Sequence, residues 1–114
     1  MNKIVQDKSL QFAVRIVKMC KFLREEQKEF IMTKQLLRSG TSIGANIAEA
    51  QQAQSKSDFV HKMSIALKEA AETNSWIRLL HATDYLNDKA MESIILDCSE
   101  LEKMLTAIIK SAKE

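Results

Sequence analysis

Proline is absent from this chain of 114 residues, and glycine occurs only twice. Because proline breaks regular helices by removing a backbone donor, its absence is compatible with long uninterrupted helices. Aromatic residues make up only 5% of the sequence, so we expect a core built from aliphatic side chains. The composition therefore favours a helical protein with an aliphatic core.

Cysteine is also scarce. Cys20 and Cys98 do not form a Cys-x-x-Cys pair of the kind that binds zinc or carries redox chemistry. Each falls at an apolar helical position, so we expect two buried, reduced thiols.

Long apolar runs are missing as well. No stretch approaches the roughly 18 uninterrupted apolar residues of a membrane span. Charged residues lie within the first ten positions, where a signal peptide has its apolar region. These features predict a cytoplasmic protein without a membrane partner. A length of 114 residues predicts one domain, residues 1–114.

The net charge of +2 hides an uneven distribution. Residues 1–40 carry nine basic and four acidic side chains, whereas residues 41–114 carry eight basic and eleven acidic ones. Such asymmetry can serve association between subunits, or it can offer a basic surface to nucleic acid. The candidate nucleic-acid contacts are Lys8, Arg15, Lys18 and Lys21. A solvated helix face would have the same composition.

The spacing of apolar residues predicts four helices and no strand of comparable quality. The helices are expected at about 7–25, 28–54, 57–83 and 88–113. In the last of them apolar residues alternate three and four positions apart from Met91 to Ala112, which is typical of a heptad seam. Short connections make sequential helices antiparallel neighbours. The expected fold is all-α, an antiparallel up-down-up-down four-helix bundle.

Local signals mark the starts of three of these helices. Asp7 is the expected N-cap of the first helix and Asn87 that of the fourth. For the third helix, Ser55 and Asp58 resemble a capping box, although Ser57 is an alternative cap.

The first and third predicted helices carry more apolar surface than one core requires. In the first helix two adjacent apolar stripes together cover more than half of the circumference. In the third, the single tryptophan of the chain lies on a second face, away from the core stripe. Contact with another subunit would account for this surplus. The expected interface comprises Phe12, Ile16, Ile65, Glu72, Trp76 and Leu79.

The second predicted helix holds both glycines, Gly40 and Gly44, with Ala48 four residues further on. Residues four apart share one helix face, and a row of small residues lets another backbone approach closely. A helical glycine costs about 1 kcal/mol relative to alanine, so two of them indicate a packing role. A polar row runs beside them, comprising Ser39, Ser42, Asn46 and Glu49. We expect Asn46 to bond across helices and fix their register.

No constellation of side chains predicts catalysis, and we expect no metal and no cofactor. His61 and His81 are about 200° apart around a shared helix axis, so they cannot hold one metal ion within a subunit. Neither cysteine has a local signature of an activating base. We therefore expect a protein that is not an enzyme and has no small-molecule substrate.

Two carboxylates leave an alternative open. Glu49 adjoins the row of small residues and Glu72 adjoins Trp76, and paired acids can perform acid–base chemistry. We favour structural ion pairs for both, with Arg38, Lys68 or Arg78 as the partner.

Residues 42–50, Ser-Ile-Gly-Ala-Asn-Ile-Ala-Glu-Ala, resemble the Ser-Ile-x-x-Asn-Ile-Ala-Glu-Gly/Ala signature of the large-subunit rRNA intervening-sequence proteins. Ser-Lys-Ser-Asp-Phe at 55–59 and Ser-Ile-Ala-Leu-Lys-Glu-Ala at 64–70, followed by Glu72, Thr73 and Trp76, match the next part of the pattern. The resemblance covers nearly the whole chain. The expected family-motif and helix-packing positions are Arg38, Gly40, Ser42, Gly44, Asn46, Ala48 and Glu49.

The resemblance implies a bacterial four-helix bundle that assembles as a ring, typically a homopentamer, and it implies no enzymatic activity. A related group of retroelement accessory proteins is thought to bind nucleic acid. We therefore expect a non-enzymatic protein whose partner is itself. The alternative is an accessory protein that binds RNA or DNA through its basic first helix. A third hypothesis is an enzyme or metal site that uses Glu49, Glu72 and the histidines.

Overall fold

The structure, a computed structural model, describes residues 2–114 and contains four helices in that range. They are α1 (Asn2–Gln27), α2 (Ile31–Ala50), α3 (Lys56–Ala82) and α4 (Asp88–Lys113). A helix of 26 or 27 residues is about 40 Å long at 1.5 Å per residue. Because the molecule measures 45 × 20 × 19 Å, such helices lie side by side and the chain reverses at each short connection. The predicted all-α four-helix bundle is confirmed.

Each helix contributes one seam of side chains to a single core. Neighbouring pairs pack in the order α1–α2, α2–α3 and α3–α4, and α1 meets α4 to close the bundle. The seam of α4 follows the predicted heptad and buries Ile94, Cys98, Leu101, Leu105 and Ile108. The seam of α1 buries Val5, Ser9, Phe12, Ile16, Cys20 and Leu23. Within residues 2–114, no helix combines the length and the apolar character needed to cross a membrane.

Two of the predicted caps are confirmed and one is wrong. The Ser55 hydroxyl accepts the Asp58 N–H at 3.0 Å, and the Asn87 side chain accepts the Ala90 N–H at 2.8 Å. Asp7 does not cap α1, which begins at Asn2. The apolar seam of α1 extends two residues before Asp7, to Val5, and burial of that side chain continues the helix. The second helix also ends earlier than predicted, at Ala50.

Glu29 caps the start of α2, and its role was not predicted from the sequence. Its carboxylate accepts the N–H groups of Ile31, Met32 and Thr33 at 3.1, 3.0 and 2.8 Å. Burial alone would raise the pKa of the Glu29 carboxyl, but these backbone donors and the Thr33 hydroxyl together outweigh it and lower the pKa. Lys28, with φ of 55°, turns the chain immediately before this cap. The negative charge also suits the positive end of the helix dipole.

Replacing Glu29 with alanine should lower the free energy of unfolding at pH 7 by about 1–2 kcal/mol, as loss of a helix cap does. Because the folded-state pKa is depressed, the ionised carboxylate stabilises the protein above its unfolded pKa of about 4.3. That contribution is lost as the pH falls through the folded-state value. Urea unfolding of wild type and of Glu29→Gln, a variant that is neutral at every pH, measures it. Their difference should shrink markedly from pH 7 to pH 3, and an unchanged difference would contradict this account.

Candidate interaction surfaces

The outward face of α1 is apolar, but its residues are not those predicted from the sequence. Phe12 and Ile16 are 1% and 0% exposed, because both fill the core between the helices. They cannot contact a second subunit, so that part of the predicted interface is wrong. The exposed side chains are instead Leu10, Val14 and Val17, at 66%, 45% and 48%. Their spacings of four and three place them on one side of the helix.

This strip of α1 continues onto small side chains of α2. We define the α1–α2 face by its apolar and small residues, which are Leu10, Val14 and Val17 of α1 and Thr41, Ala45 and Ala48 of α2. A groove of about 340 Å³ runs along it, lined in part by Leu10, Ala13, Gly44 and Ala48. Since side chains on the α2 side of the groove are small, it can accept protruding apolar side chains from a partner.

The two glycines lie where α1 and α2 approach each other. A Cβ atom added at Gly40 would lie 2.8 Å from Cγ2 of Ile16, well inside ordinary van der Waals contact. A Cβ atom added at Gly44 would lie 3.3 Å from the hydroxyl oxygen of Ser9. Ala48, the third member of the small row, is exposed and belongs to the α1–α2 face. The row of small residues therefore lies in the contact between α1 and α2 at Gly40, and it reaches the exposed α1–α2 face at Ala48.

The remaining predicted interface residues form a second surface, beside the seam between α2 and α3. We define the α3 patch as Ile65, Glu72, Trp76 and Leu79. Leu79 is 44% exposed, whereas Ile65 and Trp76 are half-buried. The Trp76 indole N–H donates to Glu72 at 2.9 Å.

Arg38 of α2 is tied to this patch by two carboxylates. Its guanidinium donates to Glu69 at 3.0 Å and also to Glu72. Arg38 was one of the partners expected for Glu72, and the structure shows that pair. The charge of Glu72 is therefore neutralised beside Trp76.

Asn46 does not bond across helices as predicted. Its side-chain amide donates to the Ser42 carbonyl oxygen of the same helix at 2.9 Å, a bond between residues four apart on α2. The buried polar contact between α2 and α3 is made by other residues, since the Thr73 hydroxyl donates to the Ser39 hydroxyl at 2.8 Å. Both of these residues are fully buried. Their partnership could not be predicted from the sequence, because the two residues are 34 positions apart.

The carboxylates considered for catalysis have separate cationic partners. Glu49 accepts from the Lys62 ammonium at 3.0 Å, a partner outside the expected set, and this bond raises the pKa of Lys62. His61 is exposed, while Nε2 of His81 lies 2.7 Å from the Asp88 carboxylate. Within residues 2–114, no three His, Cys, Asp or Glu side chains come together as a metal site.

Both cysteine thiols are buried and unreactive. Burial raises the pKa of Cys20 to about 11 and that of Cys98 to about 12. Since the thiolate is the nucleophile and the metal ligand, neither residue is prepared for chemistry at neutral pH. Cys98 donates weakly to the Ala70 carbonyl oxygen at 3.3 Å, which suits a packing residue.

Within the part of the chain that the structure describes, only two of the four candidate nucleic-acid contacts on α1 are free of ion pairs with another helix. Lys8 lies 2.6 Å from Glu100, which raises the pKa of the lysine, and Arg15 lies 2.6 Å from Asp97. These two candidate nucleic-acid contacts therefore bridge α1 to α4, and their charges are neutralised. The other two candidates, Lys18 and Lys21, are exposed and make no ion pair within the described range.

The chain is similar to a known protein family and to a solved crystal structure. A family profile described as 23S rRNA-intervening sequence protein matches residues 1–107. A crystal structure from Bacteroides thetaiotaomicron, described as a protein of unknown function from the S23 ribosomal protein family, is similar in sequence and fold. It is 60% identical, with a TM-score of 0.95, and the alignment covers 96% of this chain and 97% of that one. No curated protein matches the sequence.

Proposed function

The chain belongs to the 23S rRNA-intervening sequence protein family, and from this premise we propose a non-enzymatic protein that assembles with copies of itself into a ring. The observation that carries the proposal is the α1–α2 face. Leu10, Val14 and Val17 present their side chains to water on one side of one helix. Isolated exposed apolar residues are ordinary on a monomer, but a contiguous strip beside a groove is typical of an interaction site.

The charged and nucleophilic side chains support the non-enzymatic part of the proposal. Glu49 and Glu72 are each held by a different cation, so they do not form a free acid–base pair. Cys20 and Cys98 are buried and protonated at neutral pH.

A ring needs two different surfaces on each copy, because a head-to-tail contact joins unlike patches. The α3 patch supplies the second surface, with Leu79 as its most exposed residue. The two surfaces both adjoin α2 but lie on different sides of the bundle. Head-to-tail contacts form a ring when the rotation from one copy to the next closes, and an open filament when it does not. The family resemblance favours the pentamer.

Sedimentation equilibrium of the unmodified protein at micromolar concentration tests the proposal. We expect one particle of several chain masses, with five as the family resemblance implies. A single chain mass under these conditions would contradict self-assembly, whatever the helical content of the sample.

One specific observation favours a second candidate function, the binding of RNA or DNA. Lys18 and Lys21 lie in the second half of α1 and Lys34 lies in the first turn of α2, and all three are exposed. None of the three makes an ion pair within residues 2–114. Several copies in a ring would multiply this small charge into a larger basic surface.

The double variant Lys18→Gln/Lys21→Gln should weaken binding to a single-stranded RNA and reduce its salt dependence. Each lost phosphate contact lowers the slope of log K against log salt by about 0.7. Filter binding at two or more salt concentrations measures both effects. Lys8→Gln is the matched control, because Lys8 is already neutralised by Glu100 and should leave the slope unchanged. Equal losses in both variants, or no binding at low salt, would contradict this function.

A further inference from the structure

A cavity of about 570 Å³ opens at the end of the bundle where α1 finishes and α3 turns into α4. Its walls come from two segments of the chain, residues 22–27 and residues 81–90, so it depends on the tertiary fold. We define the end pocket by the residues that give it chemical character, which are Phe22, His81, Asp84, Tyr85 and Asp88. None of them belongs to the α1–α2 face or to the α3 patch.

The end pocket combines aromatic and acidic side chains. Phe22 is 50% exposed and Tyr85 is half-buried, and together they are two of the six aromatic residues in the chain. Asp84 and Asp88 supply two carboxylates, and no lysine or arginine lines the cavity. The single basic side chain in its lining, His81, is bonded through Nε2 to Asp88 at 2.7 Å.

Backbone hydrogen bonds fix the segment that carries the carboxylates. Asp84 has a φ of 70°, and the following N–H, that of Tyr85, donates to the Leu80 carbonyl oxygen at 2.9 Å. The Asp84 N–H donates to the His81 carbonyl oxygen at 3.1 Å, which completes a Schellman-type end of α3. The pocket is therefore formed in the free protein and needs little ordering when a ligand binds.

The start of α4 does not convert this cavity into an anion site. Anions bind helix N-termini through free backbone N–H groups. Here the Ala90 N–H is taken by the Asn87 side chain at 2.8 Å, and Asp88 places a further negative charge in the first turn. The lining also contains the side-chain amides of Gln27 and Asn87, but its carboxylates and its aromatic surface are the groups that attract an ion, and both attract cations.

We propose that the end pocket binds an organic cation, an ammonium or guanidinium group on a short aliphatic chain. The charged end contacts Asp84 and Asp88, and the chain or the flat guanidinium lies against Phe22 and Tyr85. Such a group can belong to a free polyamine or to a lysine or arginine side chain of a partner. The proposal does not depend on self-assembly or on nucleic-acid binding.

Isothermal titration calorimetry at low salt tests the proposal with two probes, spermidine and N-acetyl-arginine amide. The pocket variants are Asp84→Asn/Asp88→Asn and Phe22→Leu. Asparagine tolerates the positive φ at position 84, so the turn should be retained. Phe30→Leu and Glu92→Gln are matched controls, because Phe30 is 57% exposed and Glu92 is exposed on α4, and neither lines the cavity. Thermal melts followed by circular dichroism show that each variant is folded.

We expect at least one probe to bind wild type with one site per chain. The double carboxylate variant should weaken binding about tenfold, as loss of two partly exposed ion pairs does. Phe22→Leu should weaken it about threefold through the lost cation–aromatic contact. Tighter binding of spermidine indicates a free polyamine, and tighter binding of the arginine derivative indicates a partner side chain. Failure of both probes to bind, or equal losses in the control variants, would overturn the proposal.

Discussion

Replacing Val14 with glutamate is expected to abolish the proposed self-assembly at micromolar concentration without unfolding the subunit. Val14 lies at the centre of the exposed strip, between Leu10 and Val17, and is 45% exposed. In the free subunit the new carboxylate stays in water, and glutamate is a good helix former. In the assembly it would be buried without a partner, at a cost of about 3 kcal/mol, which weakens each contact about a hundredfold.

Sedimentation velocity measures the size of the particle, and far-ultraviolet circular dichroism shows that the subunit remains helical. Leu96→Glu is the matched control. Leu96 is 71% exposed on α4 and lies outside both proposed surfaces, so this variant should assemble like wild type. Unchanged sedimentation of Val14→Glu would show that the α1–α2 face is not the contact.

A mixing experiment tests the head-to-tail arrangement. Val14→Glu leaves the α3 patch intact, whereas Leu79→Glu leaves the α1–α2 face intact. If unlike surfaces meet, each variant alone is monomeric, and an equimolar mixture forms a dimer through the one intact pair of surfaces. If like surfaces meet, each variant alone forms a dimer through its own intact surface, and mixing the two variants produces no new species.

The features that the sequence predicts well depend on neighbouring residues. The α4 seam and the caps at Ser55 and Asn87 are set by side chains within a few positions of one another. Glu29 also acts locally, on the N–H groups of three residues that lie two to four positions further on. The sequence does not reveal this cap, because glutamate is not among the side chains preferred at the N-cap position and its contacts depend on the turn at Lys28.

The orientation of α1 was assigned wrongly because two apolar stripes lie side by side. Periodicity alone does not say which stripe faces the core when both have similar residues. The two stripes differ in length when the whole helix is considered. The buried seam starts at Val5 and continues through Phe12 and Ile16 to Leu23. The exposed strip is shorter and is followed on the same side by Lys21. The length of a stripe is thus the signal that identifies the core.

The ion pairs that Lys8 and Arg15 form with α4 could not be predicted from the sequence. Arg15 and Asp97 are 82 residues apart and meet only because α1 lies beside α4. A lysine or arginine on a helix face looks equally free whether or not another helix supplies its counterion. For this reason the candidate nucleic-acid contacts required the tertiary structure, which leaves Lys18 and Lys21 and removes Lys8 and Arg15.

Replacing Gly40 with alanine is expected to destabilise the fold, although alanine is the better helix former by about 1 kcal/mol. The added Cβ would lie 2.8 Å from Cγ2 and 3.0 Å from Cγ1 of Ile16. Ile16 is fully buried and branched at Cβ, so it cannot swing away without disturbing the core. Overpacking of this kind costs about 1–3 kcal/mol, which exceeds the gain in helix propensity. Urea unfolding should therefore show a net loss of stability.

Two comparisons separate this steric cause from a general effect of changing glycine. The Cβ of Gly44→Ala would lie 3.3 Å from the Ser9 hydroxyl and at ordinary contact distance, 3.7 and 3.8 Å, from Cβ and the carbonyl oxygen of Ser9, so this variant should be neutral or stabilising. In an Ile16→Ala background the conflicting Cγ atoms are gone, so Gly40→Ala should change from destabilising to neutral or better. The resulting coupling energy between positions 16 and 40 should be about 1–3 kcal/mol in a double-mutant cycle. Additive effects of the two substitutions would show that Ile16 does not determine the need for glycine at position 40.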